Sequence, residues 1–333
     1  MGNVLSVTSP KDWHGIAQEG AVPPLDPGKW NDDAPDLHLM VIDRQDRLRA
    51  RCSLWWRNAP AHGSRRLGAI GHYAACDDAS AAALLQDASL RLAACKCDYA
   101  VGPLDGSTWR SYRFVTDPGN SPPFFLEPTN PPEYPLQFVA AGFGPFAEYV
   151  SALRPGPMAA YPQADEAERR LEKSGVIIRP LDPTRLEDEL QAIHQASLVI
   201  FRQNILFSPI SEAEFRALYA PVLSMLQPDT FLLAEREGQL VGFVLGIPNY
   251  LQAQRGKQVD TLIIKTLVRR PEPVYAGLGA VLLRRCETIG AQHLGYHRSI
   301  HALMHVDNAS LTLSKRTARP IRRYTLFGKE LPS

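Results

Sequence analysis

Two α/β units in tandem, each with a mixed, mostly antiparallel central sheet flanked by helices, are what this sequence predicts. Three observations predict it. The chain has 333 residues, more than one core of ordinary size takes up. The order hairpin, strand, helix, strand occurs twice, about 190–200 residues apart. Between the two occurrences runs "LRPGPMAAYPQADEAERRLEKSG", rich in proline, alanine and charge, which reads as a linker with a short charged helix in its second part.

The first unit opens on "GAVPPLDPGKWNDDAPD", where proline leaves no room for a long helix. In "LMVIDRQDRLRARCSLWW" an apolar run meets the polar turn Asp43–Arg47 and a second strand follows, a hairpin signal. An extended segment, "RRLGAIGHYAA", leads to the helix "ASAAALLQDASLRLAACK" and the short strand "YAVGPL". The second unit begins with the strand "VIIRPL" and two helices. One runs over Arg185–Asn204; the other, "SEAEFRALYAPVLSML", has Ser211 as N-cap and Glu214 three residues on, a capping box. Its hairpin turns at Glu235–Gln239 around Gly238, and "DTLIIKTLVRR", "GLGAVLLRRCETIGAQHLG" and "SIHALM" complete the repeat. Asp43 stands against Glu235, Arg44 against Arg236 and Leu48 against Leu240. The boundaries that follow are 1–153, a linker at 154–175, and 176–333.

Composition narrows the function. Apolar residues make up 45% and charged residues 21%, as in a soluble globular protein. A net charge of +1 does not predict a long basic surface, so nucleic acid is not an expected partner. No apolar run is long enough to span a bilayer, and the first residues lack the pattern of a secretory leader. Five cysteines with no Cys-x-x-Cys pair point to free thiols in a reducing cytoplasm and to no metal site.

The stretch "RRPEPVYAGLGAVLLRRC" puts Gly277 and Gly279 where a helix begins, although glycine weakens helices. It is either a tight turn before a packed helix, or a place where backbone amides must approach an anion. The matching stretch of the first unit, "ACDDASAAALL", carries Asp77 and Asp78 instead, whose carboxylates would repel a phosphate. Only the second unit is therefore a candidate anion site.

From about Val176 to Lys329 the chain resembles the GNAT superfamily of acyl-CoA-dependent N-acyltransferases. The parts run in family order, and Gly277-x-Gly279 fits the family's phosphate-binding pattern, with Leu267 and Pro271 before it and Asn308 after the next strand. Val274 departs from the Gln or Arg of that pattern. The tyrosine that often serves the family as general acid would fall near Lys315 and is absent. The first half resembles a degenerate copy of the same fold, serving as scaffold or as a wall of the acceptor site.

The resemblance implies acetyl-CoA or another acyl-CoA as co-substrate. Its pyrophosphate would meet Tyr275, Ala276, Gly277, Leu278, Gly279 and Ala280, and its pantetheine arm would lie along Leu267, Val268 and Arg269, with Asn308 nearby. The reaction implied is direct transfer of an acyl group to a primary amine of a small molecule, by a monomer or homodimer with no membrane partner. A non-catalytic acyl-CoA or metabolite binder, or another thioester reaction such as decarboxylation or O-acyl transfer, is the alternative.

Proton transfer needs a base and an acid. His301, on the strand "SIHALMH", and Tyr324 are the candidates, with an ordinary structural role open for both. Asn308 either orients the cofactor or caps the helix "ASLTLSKR". Loops after "YAVGPL" would overhang the site, so Asp105, Trp109 and Arg113 are candidate substrate residues, with Glu127 in the same charged and aromatic stretch.

Overall fold

Two amphipathic helices set the architecture, because each needs a sheet to cover its apolar stripe. The computed structural model describes residues 3–13, 21–156 and 162–332. The first half comprises β1 (Asn3–Val7), α1 (Pro27–Asp33), β2 (Leu37–Ile42), β3 (Leu48–Trp55), β4 (Leu67–Ala75), α2 (Asp78–Ala94), β5 (Tyr99–Gly102), β6 (Phe114–Asp117), α3 (Glu133–Ala140) and β7 (Gly144–Arg154). Helix α4 (Pro162–Lys173) follows. The second half comprises β8 (Ile177–Pro180), α5 (Leu186–Ile200), α6 (Glu212–Leu223), β9 (Phe231–Arg236), β10 (Gln239–Pro248), α7 (Leu251–Gln254), β11 (Thr261–Arg269), α8 (Leu278–His293), β12 (Arg298–His305), α9 (Ala309–Ser314) and β13 (Arg319–Glu330).

Helix α2 buries Ala81, Leu84, Leu85, Ala88 and Leu92 against β2–β5, and α8 buries Leu278, Val281, Leu282 and Cys286 against β9–β11. Both expected hairpins form, and the Ser211 and Glu214 capping box is closed in both directions. The Pro-rich lead of the first half holds only the seven-residue α1. The charged helix expected in the connecting segment is α4, packed on α8 through Arg284 and Arg285, which pair with Asp165, Glu168 and Glu172.

The strands join into one sheet in the order β1-β2-β3-β4-β5-β13-β7-β12-β11-β10-β9-β8, with β6 beside β13. The closing strands are exchanged. The last strand of the chain, β13, pairs with β5 of the first half (Phe327 opposite Gly102), while β7, the last strand of the first half, pairs with β12 of the second (Ile300 opposite Leu153). The two exchanged strands pair with each other from Arg319 opposite Leu153 to Gly328 opposite Gly144. Each half thus completes the other's sheet.

Candidate active site

The second half opens in two places. Between β11 and α8 the chain stays exposed over residues 271–277 except for Tyr275. Gly277 caps α8 with φ +81°, a conformation that suits glycine, and a Cβ there would lie 2.7 Å from the Cβ of Ala167 on α4. A Cβ on Gly279 would meet nothing within 4 Å. The amides of Gly277, Leu278 and Gly279 bond to no acceptor among the described residues, since the first bonds of the helix run from Ala280 and Val281 to Gly277 O. Arg170 of α4 donates to Ala276 O and so stands beside this loop. The residues fit a phosphate-bearing ligand: open amides, a positive helix end, open space at Gly279 and a neighbouring guanidinium.

The second opening is a gap in the sheet. Parallel pairing of β11 with β12 runs from Thr261 opposite Arg298 to Ile264 opposite His301 and then stops. Beyond it Leu267, Val268 and Arg269 pair only with β10, and β12 keeps only its pairing with β7. At the parting point β11 has a bulge. Leu245 faces Thr266 and Gly246 faces Ile264, leaving Lys265 as the extra residue. The Lys265 ammonium donates to Leu126 O at 3.0 Å, on a loop of the first half, and forms no ion pair among the described residues. Burial, with Arg113 adding repulsion, brings its pKa down to about 8, and Glu127 offsets part of this.

Next to the gap the two halves share a buried polar cluster. The phenol of Tyr324 donates to Glu127 and lies 2.9 Å from Ser151 Oγ, and Arg322 pairs with Glu127. Ser151 also accepts the amide of Leu303, a residue with φ +58° at the irregularity of β12. Glu127 and Ser151 belong to the first half, Tyr324 and Arg322 to the second. Burial raises the pKa of Glu127 despite its hydrogen bond from Tyr324 and the charge of Arg322, and it raises that of Tyr324.

The other expected residues are dispersed. His301 is 4% exposed, with Nδ1 on Ser314 Oγ at 2.9 Å and Nε2 on Glu287 Oε1 at 3.1 Å; Glu287 also pairs with Arg154 of β7. His301 therefore sits in a buried network that fastens the exchanged strand. Asn308 stands at the N-cap of α9 without a side-chain capping bond. Asp105 is buried in the first half, paired with Lys29 at 3.0 Å and accepting the amide of His72 at 2.7 Å. Trp109 leans on Phe201, Phe207 and Phe215 of the second half and donates to Ser208 O. Arg113 lies over Tyr112 and Tyr149 with a bond to Leu303 O, at the seam beside the gap. Sequence reasoning left out Arg170 and Ser151, for which no local motif speaks, and quoted Glu127 without a role.

The first half closes both openings. Asp77 caps α2 by accepting Ser80 N at 2.7 Å, so a carboxylate already covers that helix end. At its gap the bulge residue His72 is held by Asp33 at 2.8 Å and by Ser53 at 2.8 Å, and Ser53 continues to His38 at 2.7 Å. Asp33, His72 and Asp105 bring ligand atoms within 4.8 Å of one another, but the Lys29 ammonium lies 2.8 Å from Asp33 and 3.0 Å from Asp105 and supplies the cation.

Residues 191–315, which span α5 to α9, match the model of the acetyltransferase (GNAT) family. This segment is thus similar to the GNAT family. Solved structures of like fold cover the first half of the chain as well. A GCN5-related N-acetyltransferase from Sphaerobacter thermophilus covers 97% of this chain and 84% of its own, at 14% identity and a TM-score of 0.50. A probable N-acyltransferase of unknown function from Enterococcus faecalis covers 99% and 73%, at 10% identity and a TM-score of 0.58. In sequence, a protein named bacterial ceramide synthase from Caulobacter vibrioides is 28% identical over 165 residues, 46% of this chain and 40% of that protein, so the match spans less than half of either. Among the described residues no helix is long and apolar enough to cross a membrane.

Proposed function

We propose that the second half binds an acyl-CoA, most simply acetyl-CoA, and transfers its acyl group to a primary amine of a small molecule. The observation that carries this is the pairing of two openings in one GNAT domain: free amides at Gly277–Gly279 and a sheet gap that begins at Lys265. Tyr275, Ala276, Gly277, Leu278, Gly279 and Ala280 would hold the pyrophosphate, and Leu267, Val268 and Arg269 offer backbone to the amide-rich arm. Bound there, acyl-CoA supplies an activated thioester. The protein's part is to align the acceptor and to move two protons. Tyr324 and Glu127, joined by a hydrogen bond at the seam, are the groups we assign to proton transfer, with Ser151 and Arg322 fixing their positions. His301 orients β12 from behind. Arg113 and Trp109 form the wall given by the first half, and the reaction belongs in the cytoplasm. The similarity to a named ceramide synthase adds lipid-like amines to the acceptors worth testing.

The test is a thermal-shift screen with CoA and acyl-CoAs, followed by release of free CoA thiol with a panel of amines. A ligand at a hundred times its Kd stabilises the fold by about 2.7 kcal/mol. Gly277→Asp should abolish that shift. A second reading, a non-catalytic acyl-CoA sensor, is favoured by the absence of a tyrosine near Lys315 and by Val274. Binding without thiol release from any amine would establish it.

A further inference from the structure

We propose that Lys265 is a self-acylation site, at which the acyl group of bound acyl-CoA passes to the chain's own lysine. This rests on the acyl-CoA reading above. Lys265 is the bulge residue at the point where β11 and β12 part, so it stands at the head of the gap with no partner residue across β10. Ile263, two residues earlier, packs with Phe124, and the Lys265 ammonium reaches Leu126 O, so both face the same loop of the first half. Glu127 and Arg113 from that half are the charged groups that act on it; Glu127 is itself bound by Arg322 and Tyr324. A lysine ammonium placed among protein atoms with one carbonyl and no carboxylate beside it favours its neutral, nucleophilic form. With its pKa near 8, roughly a tenth is neutral at pH 7, against a few parts in ten thousand for a solvated lysine.

The step balances without a further reactant. The neutral Nζ attacks the thioester carbonyl, a C–N bond forms, the C–S bond breaks, and the proton lost from nitrogen goes to the departing CoA thiolate. The product is an N-acyl-lysine and free CoA. An amide at Lys265 carries no charge and fills the head of the gap, so acylation would turn the acceptor site off as acyl-CoA accumulates.

The experiment incubates the full chain with acetyl-CoA and, in parallel, with a long-chain acyl-CoA. Binding is read by thermal shift, and adducts by intact mass and peptide mapping. One acyl group should appear per chain, at Lys265, and Lys265→Arg should lack it, with Lys265→Met as a second variant should the first fail to fold. Gly279→Asp, which loses the ligand, should cut the rate at least tenfold. The rate should rise about tenfold per pH unit below pH 8 and level off above it. Binding without an adduct at Lys265, or equal labelling of heat-unfolded chain, overturns self-acylation and leaves the acyl-CoA reading standing. If neither acyl-CoA binds, that reading falls and the self-acylation site with it.

Discussion

Lys265 and His72 are bulge residues on the parting strands of the two halves, Lys265 one residue and His72 three residues beyond the last parallel pair. In the first half, His72 and Tyr73 together oppose Cys52, and His72 takes φ +48° to point at Asp33. In the second, Lys265 points at a single carbonyl. The parting strand thus carries a satisfied plug in one copy and, among the described residues, a cation without a carboxylate partner in the other.

That contrast predicts opposite responses to truncation. His72→Ala removes a partner from Asp33 and from Ser53 inside the core and should cost about 2–4 kcal/mol. Lys265→Met keeps the length and removes a desolvated charge, so stability should stay within about 1 kcal/mol or rise. Urea midpoints of the two variants check this. A large loss for Lys265→Met would mean that its ammonium is a structural anchor.

Gly279→Asp should separate binding from folding. The site has room for the side chain, and a carboxylate in the first turn of a helix is favourable by roughly 0.3–1 kcal/mol. The free protein should therefore melt at an unchanged or slightly higher temperature while the acyl-CoA shift disappears. Gly277 cannot serve alone for this purpose, because its positive φ and the contact with Ala167 would destabilise the fold as well.

Arg170 should share in that binding. It stands at Ala276 O, where it supplies a cation that Val274 does not. Arg170→Ala should weaken CoA about three- to tenfold, with the weakening reduced at high salt, as for an exposed ionic contact. Isothermal titration at two ionic strengths decides it.

Hairpins, helices and the internal repeat were legible in the sequence because they are written in local periodicity, caps and turns. The Ser211 and Glu214 capping box and the turns at Asp43–Arg47 and Glu235–Gln239 need no partner to be recognised. The exchange of β7 and β13 was not legible. A strand such as "GPFAEYVSALR" states which face is apolar, but its neighbours are chosen by long-range packing. The site suffered the same fate. Gly277 and Gly279 were visible because glycine weakens the helix they open, and at Gly277 the positive φ calls for that residue. Glu127, Ser151 and Tyr324 meet only after the halves interlock, so no spacing in the chain announces them.

The interlocking predicts how the protein comes apart. Residues 162–333 alone lack β7, and residues 1–156 lack β13, so each fragment exposes the strand edge that the other covers. Each expressed singly should aggregate. Expressed together they should co-purify as one complex, and the intact chain should melt in a single transition. Two independent calorimetric transitions in the full chain would contradict this.

The bolt that holds β7 should be visible as acid sensitivity. Glu287 of α8 is buried with Arg154 of β7 and His301 of β12. Burial alone would raise its pKa, but the hydrogen bond with His301 and the charge of Arg154 hold it below the ordinary value. A carboxylate with a depressed folded-state pKa contributes stability above its unfolded value of about 4.3 and loses it as pH falls through the folded value. Glu127 works the other way. Its pKa is raised, so its protonation favours the folded state over part of the same range. The total acid response mixes the two, and only the difference between wild type and Glu287→Gln isolates the bolt. At pH 7 the variant should be less stable by about 3–5 kcal/mol, because Arg154 keeps a buried charge without that carboxylate. The difference should shrink steadily as pH is lowered from about 5 to 3. Urea titrations at pH 7, 5, 4 and 3 would measure it. A difference that stays constant with pH would show that Glu287 acts by packing and not by charge.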